Sequence, residues 1–186
     1  YLPNFLSWVI LATVVVNIFS YAGPINAVLE MLGIEPILFM ASNKWFRSVL
    51  IVTDVWKGFG YGAIIYLAAL SGIDPGLYEA AAIDGANRFK RVWHITLPGI
   101  LPTIMLVTIM NLPNVLNAGF DQIFNLYNPL VMETADIIDT WVYRVGLVER
   151  QYSLGTAVGL LRSIVGIILM LSANKIAQKV TDYRIF

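Results

Sequence analysis

The chain of 186 residues has no cysteine, a single histidine and few charges: 13% of its residues are Asp, Glu, Lys or Arg, against about 25% in a typical soluble domain. Without cysteine there is no disulfide framework, no thiolate nucleophile and no cysteine-bound zinc or iron–sulfur centre. His94 has no second ligand near it in sequence, so neither a metal site nor a histidine base is expected. No G-x-x-x-x-G-K-[ST] phosphate loop, H-E-x-x-H run or serine–histidine arrangement occurs, so no catalytic residue and no cofactor is expected. Twelve basic residues offset twelve acidic ones, and without a cationic excess nucleic acid is not a partner. There is no internal repeat and no low-complexity linker. What remains is apolar: 58% of residues are hydrophobic and the mean hydropathy is +0.73. That excludes a disordered chain and points to a lipid bilayer.

A helical span needs about 20 mostly apolar residues to cross a hydrocarbon core of about 30 Å. Four stretches qualify, Leu2–Ser20, Trp45–Leu70, Ile95–Ala118 and Gly155–Ala173, which makes the expected fold an all-α membrane protein. The second carries Asp54 and Lys57, the third Pro98, Pro102 and Pro113, and the fourth Arg162. Polar groups at such depth must meet other helices or a wet cavity. Asp54 and Lys57, three residues apart, are expected to pair, and Arg162 needs an acceptor, Asp54 or a group on another subunit. Gly155, Gly159 and Ser163 recur every fourth residue, the spacing of close helix packing. Trp45, Tyr66 and Trp141 suit membrane-interface anchors. Between the spans, Ile25, Val28, Leu29 and Leu32, and likewise Ile138, Trp141, Val142 and Val145, follow the i, i+3, i+4, i+7 pattern of short amphipathic helices.

Lys and Arg collect in short cytoplasmic loops. Residues 71–94 hold Arg88, Lys90 and Arg91, and the tail holds Lys175, Lys179 and Arg184. The other two loops hold Lys44, Arg144 and Arg150 against seven acids, Glu30, Glu35, Asp121, Glu133, Asp136, Asp139 and Glu149. Loop 71–94 and the C-terminus are therefore expected on the cytoplasmic side and the acidic loops outside. In loop 71–94, Asp74 followed by Pro75 is a helix-start signal. The helix is expected to run to about Ile83, with Gly85 permitting a turn and Asp84 available to cap the helix that follows. Its bare surface at Ala80, Ala81 and Ala82 suits either insertion into a groove of another protein or a solvated connector.

The same loop carries a spacing. Glu79-Ala80-Ala81, three residues, Gly85, nine residues and Ile95-Thr96-Leu97-Pro98 fit E-A-A-x3-G-x9-I-x-L-P at all seven fixed positions. This resembles the EAA loop of permease subunits in binding-protein-dependent ABC importers. Tyr66 to Leu70 and Ala118 to Gln122 look like the oligosaccharide and polysaccharide branch related to the maltose system, and the resemblance covers essentially the whole chain.

The resemblance implies a single permease domain over 1–186 with a MetI-like core in a prokaryotic cell membrane. Such subunits generally have about six spans, so one or two N-terminal spans are expected beyond the four here. It implies that Glu79, Ala80, Ala81, Asp84 and Gly85 dock on a cytoplasmic ATPase dimer as a coupling helix. It also implies a second permease subunit, an extracytoplasmic solute-binding protein and a sugar or oligosaccharide substrate. Planar polar and aromatic side chains hold sugars, and the third span with its outer end supplies Asn111, Asn114, Asn117, Phe120, Asp121 and Gln122, followed by Asn125, Tyr127 and Asn128. The asparagines also suit bonds to neighbouring helices; as a set they are the candidate translocation path. A secondary transporter or channel driven by ions is the alternative, and it would need intramembrane carboxylates where this chain offers only Asp54.

Overall fold

The computed structural model describes residues 1–112, 116 and 118–181, the last six of these by backbone alone. Its long helices are α1 (Trp8–Ile18), α3 (Asn43–Ser71), α5 (Arg88–Asn111) and α9 (Tyr152–Thr181). Shorter ones are α2 (Pro24–Met31), α4 (Pro75–Ile83), α6 (Phe120–Leu126), α7 (Met132–Ala135) and α8 (Ile138–Val142). No strand occurs among the described residues.

Among the described residues, three helices are long and apolar enough to cross a membrane: Asn43–Ser71, Arg88–Asn111 and Tyr152–Lys175. Only 11% of each one's most apolar window is buried, so their apolar flanks face outward. The first expected span is shorter. Its residues form a 3-10 turn, Leu2–Phe5, and the 11-residue α1, about 17 Å long at 1.5 Å per residue. Leu6 is extended between the two and Ser7 caps α1. At the other end the Ser20 hydroxyl bonds back to Asn17 and the chain turns into Gly23. The third span begins earlier than expected, because Asn87, not Asp84, caps it: the Asn87 carboxamide accepts from the Lys90 amide at 2.9 Å. The basic residues Arg88, Lys90 and Arg91 are thus its first turn. A π turn at Val92–Thr96 widens the helix just before Pro98, which has no amide hydrogen to give.

The described chain divides into two compact units. The first comprises Tyr1–Gly60 and Asn117–Arg162. Its core packs Ala12 and Val15 of α1, Phe46 and Val49 of α3, Leu126 of α6, Ala135 of α7, and Phe39 and Val131 from the connections. Polar side chains pin the connections to this core. Asn26, 1% exposed, donates to the carbonyls of Ser20 and Ile37 and accepts from the Ile37 amide; Asn128 donates to the Met40 carbonyl at 2.8 Å. The amphipathic face expected on α2 is only half used. Ile25 and Leu29 meet the core, while Val28 and Leu32 are exposed, because the buried contact is the Asn26 carboxamide. Gly155 of α9 abuts Gly146, where a Cβ would lie 3.2 Å from the Gly146 Cα, whereas a Cβ at Gly159 would meet open space. The small-residue spacing therefore serves a close approach at Gly155. The second unit comprises Tyr61–Leu116 and Ser163–Phe186; among its described residues, α4 and α5 carry the candidate site.

The intramembrane charges find partners other than those expected. Lys57 does not pair with Asp54: its ammonium donates to the carbonyls of Pro3, Asn4 and Leu6 at 3.4, 3.0 and 2.8 Å. The Pro3 carbonyl also accepts from the Leu6 amide at the end of the 3-10 turn, and three acceptors match the three donors of an ammonium. Arg162 pairs with Asp139, not Asp54.

Candidate functional site

The segment around α4 is built by its caps. The Asp74 carboxylate accepts from the Gly76 amide at 2.9 Å, and Pro75 occupies the first helical position of α4. At the other end Gly85 has φ +74; the Gly85 amide bonds to the Ala82 carbonyl and the Ala86 amide to the Ala81 carbonyl. This pair of reversed bonds is a Schellman closure, which needs a left-handed residue at the glycine position. Asp84 is the residue that ends α4. Tyr78 and Ala81 are half-buried on the inner side of α4, while Glu79, Ala80, Ala82, Asp84 and Gly85 are exposed. The Tyr78 hydroxyl meets the Thr96 hydroxyl at 2.9 Å, and the Arg91 guanidinium donates to the Ala86 carbonyl. A Cβ at Gly99 would lie 3.0 Å from the Ile73 side chain, so α5 sits close under the connection into α4. The segment is thereby held to the start of α5 by bonds at the middle of α4 and just past its C-terminal end, and by the close approach of Ile73 to Gly99.

The spacing did not single out an apolar rim on this segment. Ile83, Phe89 and Trp93 are 88%, 87% and 70% exposed, beside a short run of alanines. Large apolar side chains in a basic loop were the available signal, since exposed apolar surface of this kind marks an interaction site. His94 directs Nδ1 at the Lys90 carbonyl, 2.9 Å away, a backbone contact within its own helix.

The candidate path residues separate into groups. Asn114 and Asn117 lie outside the described residues. Asn111 donates to the Val107 carbonyl at 2.9 Å. Gln122 is buried, and its amide donates to the Leu50 carbonyl at 2.7 Å and to the Thr53 hydroxyl at 2.9 Å; it fastens α6 to α3. Phe120 stacks on Phe124 and leans on Tyr143. Asp121 is exposed and borders a cavity of about 410 Å3 with Trp8, Lys57 and Asn125. A second cavity of about 390 Å3 is lined by Phe120, Tyr143, Asp139 and Arg162 among others.

In the acidic connection before α9, Asp136 takes a two-pronged bond from Arg144, 2.7 and 3.2 Å, and a bond from the Thr140 hydroxyl at 2.7 Å. The Arg144 guanidinium, helped by Thr140, holds the Asp136 carboxyl below the ordinary carboxylate value, with partial burial pulling the other way.

Long apolar helices, with a short capped helix bonded to the start of one of them, describe a helical component of a membrane. The chain matches the family "Binding-protein-dependent transport system inner membrane component" over residues 1–182 and belongs to it. It is 43% identical over its full length to Protein LplB of Bacillus subtilis (strain 168), covering 59% of that protein. It is 40% identical to the polygalacturonan/rhamnogalacturonan transport system permease protein YteP of the same organism, covering 58% of it. A crystal structure of a bacterial ABC transporter involved in the import of the acidic polysaccharide alginate superposes with a TM-score of 0.94 at 40% identity, over 97% of this chain and 64% of that one. The same transporter in complex with an alginate pentasaccharide-bound periplasmic protein gives 0.95 at 39% identity, over 100% of this chain and 65% of that one. The chain thus spans about three fifths of the length of these relatives.

Proposed function

We propose that this chain is the core of a permease subunit that forms half of the pore of an ATP-driven saccharide importer. Residues 71–94 and the C-terminus face the cytoplasm of a prokaryotic cell, and the acidic connections face outward, the orientation favoured by the distribution of Lys and Arg. The observation that carries the proposal is α4: a helix capped at both ends and bonded to α5 at its middle and just past its C-terminal end, presenting Glu79, Ala80, Asp84 and Gly85 outward. Ala81 stands on the inner side, where it lets α4 lie close to its support. Small side chains admit a close-fitting groove, Glu79 offers a carboxylate to a basic group, and Ile83 and Phe89 supply apolar area at the rim.

The partner that fits is a cytoplasmic ATPase dimer, with a second permease subunit completing the pore and an extracytoplasmic binding protein delivering substrate. The subunit itself is non-catalytic; its sequence has no phosphate loop. ATP biases the cycle only if α4 binds the ATPase with different free energy in the inward- and outward-open states. Saccharide as substrate is supported by the names of the relatives, and Asn111, Asn114, Asn117, Phe120 and Asp121 remain the candidate path.

The test is sugar-stimulated ATP hydrolysis by the full-length subunit reconstituted with its partners. Glu79→Lys is expected to abolish stimulation. Gly85→Val, forced into a left-handed backbone at about 1–2 kcal/mol, is expected to lose it as well, and Gly85→Asn to keep most of it. Unchanged hydrolysis and uptake in Glu79→Lys and Gly85→Val would remove the docking role.

A further inference from the structure

The part of the α2 apolar face that the core does not use is left open. Met31 and Leu32 are 85% and 70% exposed, and Val28, Ile34 and Leu38 are exposed with them. At about 100° per residue, Val28, Met31 and Leu32 share one side of α2, Ile25 and Leu29 lie about a quarter turn away, and Glu30 stands about 150° from the exposed group. Ile25 and Leu29 are the two that meet the core. Gly33, with φ +75, closes the helix, and the Ile34 amide bonds back to the Leu29 carbonyl at 2.9 Å. Exposed aliphatic surface of this extent marks a contact still to be made.

The position of α2 identifies the contact. Within the first unit α2 joins α1 to α3, and the Asn26 carboxamide ties it to the Ser20 carbonyl after α1 and to the Ile37 carbonyl before α3. Phe19, Phe39 and Trp45 interlock edge to face there, with ring centres 5.6 and 5.7 Å apart, and the Lys44 ammonium stands 5.8 Å from the Trp45 ring. A tryptophan in the first turn of a membrane-length helix marks the headgroup level. Ile25 and Leu29 pack on the cluster that holds Phe39. The helix therefore lies where α3 meets the bilayer surface.

Composition separates lipid from protein as the occupant. From Pro24 to Leu38 there is no Trp, Tyr or Arg, the residues that anchor most protein–protein contacts. None of the five exposed apolar side chains carries a hydrogen-bonding group. Ahead of Lys44 the chain has no Lys or Arg and only the carboxylates Glu30 and Glu35, so anionic headgroups are not what attracts it. Acyl chains match a face of this kind, and an interfacial helix buries its apolar side about 5–10 Å into the headgroup boundary.

We propose that α2 is an interfacial helix lying in the plane of the bilayer surface, with Val28, Met31 and Leu32 among the acyl chains and Glu30 toward water. It is held there by apolar contact and not by headgroup charge. Because Asn26 bonds to the ends of both neighbouring segments, the depth of α2 also sets the depth at which α1 ends and α3 begins. The inference requires only a membrane-embedded chain, and neither the saccharide nor the ATPase enters it.

The test uses the full-length subunit assembled with its partner subunits in phosphatidylcholine nanodiscs. These 186 residues contain no cysteine, so Val28→Cys, Glu30→Cys, Met31→Cys and Leu32→Cys each carry one nitroxide label once any cysteine elsewhere in the subunit is replaced. Accessibility to oxygen, which concentrates in lipid, is compared with accessibility to a water-soluble nickel chelate. The oxygen-to-nickel ratio at Met31 and Leu32 is expected to be at least about threefold that at Glu30, as immersion of one side of the helix requires. Replacing half of the lipid with phosphatidylglycerol is expected to leave that preference in place. Co-purification of the ATPase subunits reports assembly, and the Val28 label stands in where a label at Met31 or Leu32 prevents it. A ratio at these positions no greater than at Glu30 puts the face in water and overturns the proposal. Screening of the labels from both reagents overturns it too, by placing protein over the face; screening that begins only when the extracytoplasmic binding protein is added would name that protein as the occupant. A preference seen only with phosphatidylglycerol would overturn the assignment to apolar contact.

Discussion

The hydroxyls of Tyr78 and Thr96 meet at 2.9 Å and tie the inner face of α4 to the π turn of α5. A neutral hydrogen bond of this kind contributes about 0.5–1.5 kcal/mol, too little to decide folding but enough to affect how stiffly α4, as the proposed docking helix, is joined to the span behind it. Tyr78→Phe and Thr96→Val are each expected to reduce sugar-stimulated ATP hydrolysis several-fold while the ATPase subunits still co-purify. The double variant should be no worse than Thr96→Val alone, which loses the Tyr78 bond and also the long one to the Arg91 carbonyl at 3.5 Å. Additive losses would mean that the two hydroxyls act separately.

Gln122 belongs to the scaffold rather than to the path surface. It is 4% exposed, and its amide satisfies the Leu50 carbonyl and the Thr53 hydroxyl. Gln122→Leu leaves two buried oxygens without that donor, a loss of about 1–3 kcal/mol. The expected outcome is a lower unfolding temperature of the purified complex with the order of preference among saccharides unchanged. A changed preference at unaltered stability would return Gln122 to the path.

Local signals were legible in the sequence and long-range partners were not. Asp74 with Pro75, and Gly85 after a run of alanines, act through backbone groups two to five residues away, so spacing alone locates α4 and its two ends. The extent of α3 was visible for the same reason, since apolar length is a property of one segment. Lys57 and Arg162 announced only that each needed a partner. The acceptors are Leu6 and its neighbours, 51 to 54 residues from Lys57, and Asp139, 23 residues from Arg162. Asp54, three residues from Lys57 and named as an acceptor for Arg162, is bonded to neither. Gln122 looked like a sugar ligand because a carboxamide at a span end serves a carbonyl and a substrate hydroxyl equally well; burial against α3 decides between them.

The Asp136–Arg144 pair sets an acid-side response. Because the folded carboxyl titrates below its ordinary value of 3.8, the fold favours the ionised form. The resulting stabilisation is fully present above the ordinary carboxylate range and is lost as pH falls through the lower folded value. With side-chain exposures of 32% and 30%, solvent screening holds it to about 1 kcal/mol or less. Asp136→Asn is therefore expected to lower the unfolding temperature by a few degrees at pH 7, with the difference from wild type shrinking below about pH 4. A difference of constant size down to pH 3 would show that the carboxylate charge is not what stabilises this turn.

Arg162 and Asp139 are the pair whose separation should be felt most. Arg162 projects from α9, a helix of membrane length, and Asp139 sits on α8; their side chains are 28% and 20% exposed. Removing one member of a fully buried pair costs about 3–5 kcal/mol because the other charge is stranded, whereas replacing both with apolar groups of similar volume is often neutral. Partial exposure reduces the penalty here without changing its sign. Arg162→Met alone leaves Asp139 beside Phe120 and Tyr143 in an apolar-walled cavity, and Asp139→Leu alone leaves a guanidinium on an apolar helix. Each single variant is expected to unfold at a lower temperature in detergent, and the combined variant to recover most of the loss. Recovery of stability without recovery of uptake would assign the pair to the transport cycle as well as to the scaffold. A combined variant less stable than either single one would show that the two charges do not depend on each other.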